Sequence, residues 1–347
     1  MHTLQKLEMG IDEIPSSIAW YIADIMEYRG KQALYASQSS QKLKILRQSS
    51  IIESSISSTR IEGVVMEPAR VAPLLNGKLP FRDRDEEEIK GYRDALQWVH
   101  AEGKKIPINT KTILELHALV RSGSGSAGKF KSKQGEGDII EVLPDGRRVL
   151  RFATIPHTEV KKYLKDWETK TNKLIIQNKV HPLIVLGASS FDFLCIHPFN
   201  DGNGRVSRLL LLLHAYHIGI EVGRYISLEK IIEENKEEYY KSLAESSQGW
   251  HENQHNEWFY IRYILYILKT AFKTMDERME NPEPRGAKTE MILDWIQKQK
   301  GDFTLAGMQQ ALPFVSRDMI RKILKDLSRE KKIKSYGHGK AAVWRKK

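Results

Sequence analysis

Apolar residues recur at three- and four-residue steps through most of the first 280 positions, the spacing of helices that bury one face. The pattern predicts helices over Ser16–Tyr28 and Leu43–Ile61. A third starts acidic at Asp85, as suits a helix N-terminus, and sets Ile89, Tyr92, Leu96 and Val99 on one side. Thr110–Arg121 is a short amphipathic helix, and Ser122-Gly123-Ser124-Gly125-Ser126 after it reads as a flexible linker. The period then changes. Ile139–Val142 and Val149–Phe152 flank Pro144-Asp145-Gly146, a turn signal, and so predict a β-hairpin. Helix returns at Val160–Asn178 and Pro182–Ile196. Val206–Ile218, with its Leu209–Leu213 run, is expected to be a central, buried helix, and helices continue to about Arg278.

Asn281-Pro282-Glu283-Pro284-Arg285-Gly286 breaks the helical pattern with two prolines and reads as an interdomain linker. Beyond it come helices near Thr289–Gln299 and Thr304–Ala311 and a third from Ser316. In that third helix Ile320, Ile323, Leu324 and Leu327 are in register while Arg317, Arg321, Lys325 and Arg329 fall elsewhere. Ile333–Trp344, with Gly337-His338-Gly339 in the middle, reads as a hairpin; three helices and a hairpin make a winged helix-turn-helix. Charge sharpens this division. The 347-residue chain has a net charge of +11, and from Arg285 to Lys347 there are 16 Lys and Arg against 6 Asp and Glu, so the tail holds ten of the eleven. A basic module on a neutral body suggests a polyanionic or acidic partner for that module alone. No apolar run approaches the roughly 20 residues that cross a bilayer. The N-terminus lacks a signal-peptide core, and Cys195 is the single cysteine. A cytoplasmic protein without a membrane partner is expected.

One stretch concentrates the chemistry: His197-Pro198-Phe199-Asn200-Asp201-Gly202-Asn203-Gly204-Arg205-Val206-Ser207-Arg208. Gly202 and Gly204 permit close approach of a ligand to the backbone. The loop feeds the N-terminus of the Val206 helix, where free N–H groups and the helix dipole favour anions. Arg205 and Arg208, three apart, are expected to reach one anion from the same face. Asp201 is a hard oxygen ligand suited to Mg²⁺, and His197 is the side chain that takes a proton near neutral pH.

At every position this stretch matches the signature of the Fic family, His-x-Phe-x-(Asp/Glu)-Gly-Asn-Gly-Arg-x-x-Arg, and the chain from about Thr110 to Met275 resembles the family's core. The resemblance implies a mainly α fold: an N-terminal helical region over 1–105, a catalytic core with a β-hairpin flap over 106–280, and the winged-helix domain over 287–347. It implies an ATP-dependent nucleotidyltransferase, a protein adenylyltransferase that moves AMP onto a Tyr, Thr or Ser hydroxyl of a target protein. By the same resemblance His197 is the general base and Asp201 holds Mg²⁺. Gly202, Asn203 and Gly204 form the anion hole, Arg205 steadies pyrophosphate and Arg208 the γ-phosphate. Phe199 anchors the loop. Intact glycines favour AMP transfer over phosphorylation.

Upstream, Ser58-Thr59-Arg60-Ile61-Glu62-Gly63 resembles the family's inhibitory motif, (Ser/Thr)-x-x-x-Glu-(Gly/Asn). Ser58 and Glu62 share a helix face and Gly63 is a natural C-terminal cap. The resemblance implies that Glu62 pairs with Arg208 and blocks productive γ-phosphate binding. The Ile139–Phe152 hairpin resembles the flap that takes the target segment as an added strand. Asn235 and Tyr240, beside Tyr239, resemble positions lining the nucleotide pocket. His251-Glu252-Asn253-Gln254-His255 fits the His-Glu-x-x-His pattern of zinc proteases, but Gly249 and the polar residues around it suggest a loop. His214 and His217 read as core histidines. Two alternatives stay open: removal of AMP by the same site, and a DNA-binding regulator acting through the C-terminal winged helix. A homodimer is also left open.

Overall fold

The computed structural model describes the chain apart from residues 1, 12, 39, 64–83, 144, 281–285, 300, 313–314, 338–341 and 347. Pro144 of the expected turn, the linker 281–285, and His338 and Gly339 of the second hairpin therefore lie outside the described residues.

The body is helical. It comprises α1 (His2–Met9), α2 (Ser16–Gln38), α3 (Ser40–Ile61), α4 (Arg84–Glu102) and α5 (Thr110–Val120), then the hairpin β1 (Ile139–Val142) and β2 (Arg148–Phe152). After it come α6 (Val160–Gln177), α7 (Pro182–Ile196), α8 (Asn203–His217), α9 (Leu228–Glu234), α10 (Lys236–Ser247) and α11 (Trp258–Glu280). α7 and α8 stand at the centre, buried over nearly their whole length, as their apolar sequences require. One continuous apolar core runs from Leu4 to Met279 and crosses residue 105 without interruption. Among the described residues, no helix is long and apolar enough to cross a membrane.

Three segments of the body differ from the pattern-based reading, the first being α2, which runs past Tyr28 to Gln38. α1, which carries no long periodic signal, forms because Leu4 and Leu7 are buried and because the carboxylate of buried Asp192 accepts the N–H groups of Thr3 and Leu4 at 3.3 and 2.9 Å. Ser122–Ser126 is a run of turns, with Ser124 N–H donating to the Arg121 carbonyl and Ala127 N–H to that of Ser124, both at 3.0 Å. Its small residues serve tight turning beside α4 and α5 rather than slack.

Helix α3 is unusual in what it buries. Every residue from Glu53 to Thr59 is inaccessible, and most are serine or threonine. Small hydroxyl side chains let neighbouring backbones approach, and their own groups are satisfied. Ser50 donates to the Gly223 carbonyl at 3.3 Å, Ser54 to Glu229 at 2.6 Å, and Thr59 to the Ile56 carbonyl at 2.8 Å.

The C-terminal unit comprises α12 (Ala287–Lys298), β3 (Phe303–Thr304), α13 (Leu305–Ala311), α14 (Arg317–Arg329), β4 (Ile333–Tyr336) and β5 (Val343–Lys346). Its sheet has the order β3-β5-β4, all antiparallel. The short strand β3 went unforeseen because two residues carry no alternation; Phe303 pairs Trp344, and Thr304 then caps α13 by accepting Gly307 N–H at 3.0 Å. The unit has its own core, which Ile56 of α3 and Ile89 of α4 join alongside Met291, Ile292 and Leu324. Ion pairs rim this seat: Lys230 lies 2.7 Å from Glu53 and 3.4 Å from Asp294, and Lys298 lies 3.1 Å from Glu234.

Candidate active site

The loop between α7 and α8 is held in one shape from both ends. His197 closes α7 in the left-handed region at φ 51°, ψ 62°, a conformation that non-glycine residues adopt only when their surroundings enforce it. Its Nδ1 lies 3.0 Å from the Leu194 carbonyl. A carbonyl only accepts, so Nδ1 carries the proton and Nε2 keeps its lone pair. Burial pushes the His197 pKa down to about 4, so the ring is neutral at pH 7. Phe199 is buried between His117, whose ring stacks at 3.7 Å, and Phe130 at 5.7 Å. Asn203 laces the loop closed, accepting Phe199 N–H at 3.0 Å and donating to the Phe199 carbonyl at 2.8 Å. Gly202 begins α8 at φ 87°, and the first N–H groups of that helix are left without intrahelical partners.

Around the loop stands a network of charge. Glu88, side chain 5% exposed, accepts from Arg121 and Arg205 and, at 2.9 Å, from Arg84. The same three arginines meet Asp201, Arg121 at 2.7 Å and Arg84 and Arg205 at 3.3 Å. Asp201 also accepts Gly202 N–H at 2.6 Å, and its carbonyl accepts from His117 Nε2 at 3.0 Å. One turn further along α8, Arg208 donates to Ser58 Oγ at 3.0 Å, to the Ser58 carbonyl at 2.8 Å and to Glu62 at 2.8 Å. Gly204 leaves room for the Glu62 carboxylate, which a methyl group there would displace.

Glu62, His197, Asp201, Gly204 and Tyr240 open onto one cavity of about 260 Å³, with Arg151 and Phe152 of the hairpin forming its far wall. The contents of that wall decide its character: a hydrogen-bonded neutral imidazole, the open end of a helix, and a carboxylate lodged against an arginine. Residues 107–215, which contain α7, the loop and all but the last two residues of α8, match the family model described as the Fic/DOC family.

This chain carries a Fic domain.

Similar proteins agree with that assignment. "Protein adenylyltransferase Fic" of Drosophila persimilis is 24% identical over 258 residues, covering 69% of this chain and 43% of its own length. The protein of the same name from Drosophila melanogaster is 25% identical over 238 residues, covering 63% and 40%. The chain thus spans about two fifths of the length of these curated relatives. Among solved structures, a Fic family protein from Desulfovibrio desulfuricans superposes with a TM-score of 0.61 at 19% identity over 96% of this chain and 97% of its own. A Fic domain-containing signaling protein from Bacteroides thetaiotaomicron gives 0.59 at 17%, covering 76% and 98%. These likenesses establish the fold.

The Fic domain places the sequence-derived residues unevenly. His197, Asp201, Gly202, Asn203, Gly204, Tyr240 and Glu62 all line the cavity. Asn203 offers it backbone, since its side chain is engaged with Phe199. Arg205 and Arg208 do not converge on one anion in this arrangement: each ends on its own carboxylate, Arg205 on Glu88 of α4 and Arg208 on Glu62 just past the end of α3. Asn235 sits at the α9–α10 junction, donating to the Ile231 carbonyl at 2.8 Å, away from the cavity wall. The His-Glu-x-x-His stretch is a turn; His251 reaches the Ala153 carbonyl at 2.7 Å and His255 the Thr3 hydroxyl at 2.8 Å. No group of three metal-type ligands occurs among the described residues. His214 is a core residue bonded to Ser189 at 2.9 Å, whereas His217 is half-buried and bonded to the Ile106 carbonyl at 2.8 Å. The sequence reading missed Glu88, Arg121 and His117. It also missed Lys131, buried beneath the loop with Nζ 2.7 Å from Thr154 and a pKa lowered to about 8 by burial.

Proposed function

We propose that the Fic domain transfers AMP from ATP to a hydroxyl side chain of a target protein and that Glu62 holds it off. The observation carrying this reading is the cavity in which the free Nε2 of His197 and the open N-terminus of α8 are met by Glu62 lodged on Arg208. His197 Nε2 takes the proton of the attacking hydroxyl. The oxygen attacks the α-phosphorus, the bond to the β-phosphate oxygen breaks, and pyrophosphate leaves. N–H groups at the start of α8 receive negative charge as it develops on the phosphoryl oxygens. Arg205 and Arg208 are the cations for the departing phosphates, and Arg208 becomes available when Glu62 withdraws.

Mg²⁺ fits this site as a companion of the nucleotide. Asp201 is a single carboxylate, 54% exposed at the cavity, and Mg²⁺ binds through one or two carboxylates plus substrate phosphates. When bound, the ion neutralises phosphate charge. The arginines now facing Asp201 then turn toward the phosphates or remain on Glu88.

The test is labelling with α-labelled ATP and Mg²⁺, comparing wild type, Glu62→Gly and Glu62→Gly/His197→Ala. Label on the single variant and its loss in the double variant support transfer, base and brake together. Label from γ-labelled ATP instead would replace AMP transfer with phosphorylation. No label from either, with release of AMP from a modified protein, would move the assignment to AMP removal.

A further inference from the structure

On α14, Ile320, Ile323, Leu324 and Leu327 are buried in the unit's own core, so the opposite face carries Arg317, Arg321, Lys322, Lys325 and Arg329 into solvent. The unit meets the body through α12 and its core, which leaves this face open. Two of the cations are partly compensated, Arg321 at 3.4 Å from Asp318 and Arg329 at 3.5 Å from Asp326. Among the described residues, Arg317, Lys322 and Lys325 have no ion-pair partner. Between α14 and the β4–β5 hairpin runs a groove of about 730 Å³ that gathers Arg321, Lys322, Lys325 and Arg329 along one side and Ser335 and Trp344 along the other.

We propose that this face of α14, with the groove beside it, binds duplex DNA. Its shape and its chemistry both favour that occupant. A helix of 13 residues is about 20 Å long and fits a major groove about 12 Å wide. Arg317, Arg321 and Lys325 recur every four residues and form one stripe along it. The β4–β5 hairpin flanks the helix, with Ser335 and Trp344 on the side that faces it. A protein partner would need apolar anchors at the centre of the contact, and among the described residues of the unit only Tyr336 is a large exposed apolar side chain. Double-stranded RNA has a deep, narrow major groove that does not admit a helix. This inference concerns a second activity of the chain and stands whether or not the Fic domain transfers AMP.

Fluorescence anisotropy of the full chain with a labelled DNA duplex tests it. With about four phosphate contacts, affinity should fall roughly 150-fold between 50 and 200 mM salt. Arg321→Glu/Lys325→Glu should weaken binding at least about tenfold, since two contacts become repulsions. Lys161→Glu/Lys162→Glu, the same charge change on exposed positions of α6, should leave it within about twofold. Should the reversal unfold the unit, Arg321→Ala and Lys325→Ala singly must each still lose affinity. Absence of duplex binding at 50 mM salt would overturn the proposal. So would equal losses in the α14 and α6 variants, or equally tight binding of double-stranded RNA or polyglutamate.

Discussion

In the body, Arg121, Arg205 and Arg208 have side chains 3%, 2% and 3% exposed, and each ends on a carboxylate. On α14, Arg317, Arg321 and Lys325 stand in solvent. The same residue types thus do different things. A buried guanidinium is fixed in direction by its acid, so it serves geometry; removing the acid leaves an uncompensated charge and costs about 3–5 kcal/mol. A solvated one is held by little, contributes almost nothing to stability, and supplies long-range attraction that salt weakens. Placement at atomic precision and attraction at a distance are divided between the two parts of the chain.

The sharpest way to break that contrast is at the loop itself. In a Glu62→Gly background, His197→Ala should cut labelling about a thousandfold, the range of a positioned general base; a small loss would remove His197 from the chemistry. Glu62→Gly alone should raise labelling by up to about 100-fold, as expected for a coupling of up to about 3 kcal/mol, and equal wild-type and variant rates would end the autoinhibition argument. Glu88→Gln should lower the stability of the body by about 3 kcal/mol, seen as an earlier urea midpoint. If Glu88 acts by aiming Arg205, adding it to Arg205→Met should cost no further labelling, whereas additive losses would leave it a merely structural acid.

Acid should separate the two parts as well. Burial lowers the pKa of His197 and His117 to about 4 and of His100, His214 and His255 to about 3. Each binds its proton more weakly folded than unfolded, so stability of the body should fall as pH drops from about 6.5 toward 4. Labelling by the Glu62→Gly variant should likewise persist to about pH 5 and fade near 4. A midpoint near 6.5 would place His197 in ordinary solvent. The smallest effect is expected from Arg321→Glu/Lys325→Glu, within about 0.5 kcal/mol in the same melts; a larger shift would show that α14's cations hold the fold.

Legibility in the sequence followed the same division. His197 through Arg208 could be read because a loop and the helix it feeds are contiguous, so spacing alone places their groups together. Glu62 was reachable because Ser58 and Glu62 are one helical turn apart. Glu88 was not: in Asp85-Glu86-Glu87-Glu88 it looks like the solvated acidic start of a helix, and only tertiary packing turns it onto Arg205, 117 positions later. Arg121 was hidden in the same way, at the end of a short amphipathic helix. The present directions of Arg205 and Arg208 were not legible either, because Glu88 and Glu62, which hold them, lie far off in sequence. In the fold, helical periods located the long elements well, while β3 and the turns at 122–126 depend on neighbours that no local pattern encodes.

Helix α3 has no free side over its last turns. Ser54, Ser58 and Ile61 face the domain that would bind nucleotide, while Ile56 is buried in the core of the C-terminal unit and Ile52, half-buried, packs against it. A rod gripped at two stations transmits displacement between them. The lodging of Glu62 on Arg208 is therefore set partly by how firmly α12 grips residues 52–56, two turns away. Damage to that distant grip, such as Ile292→Asp, should register as a gain of labelling rather than a loss, the signature of a restraint whose anchor lies outside the lock it closes.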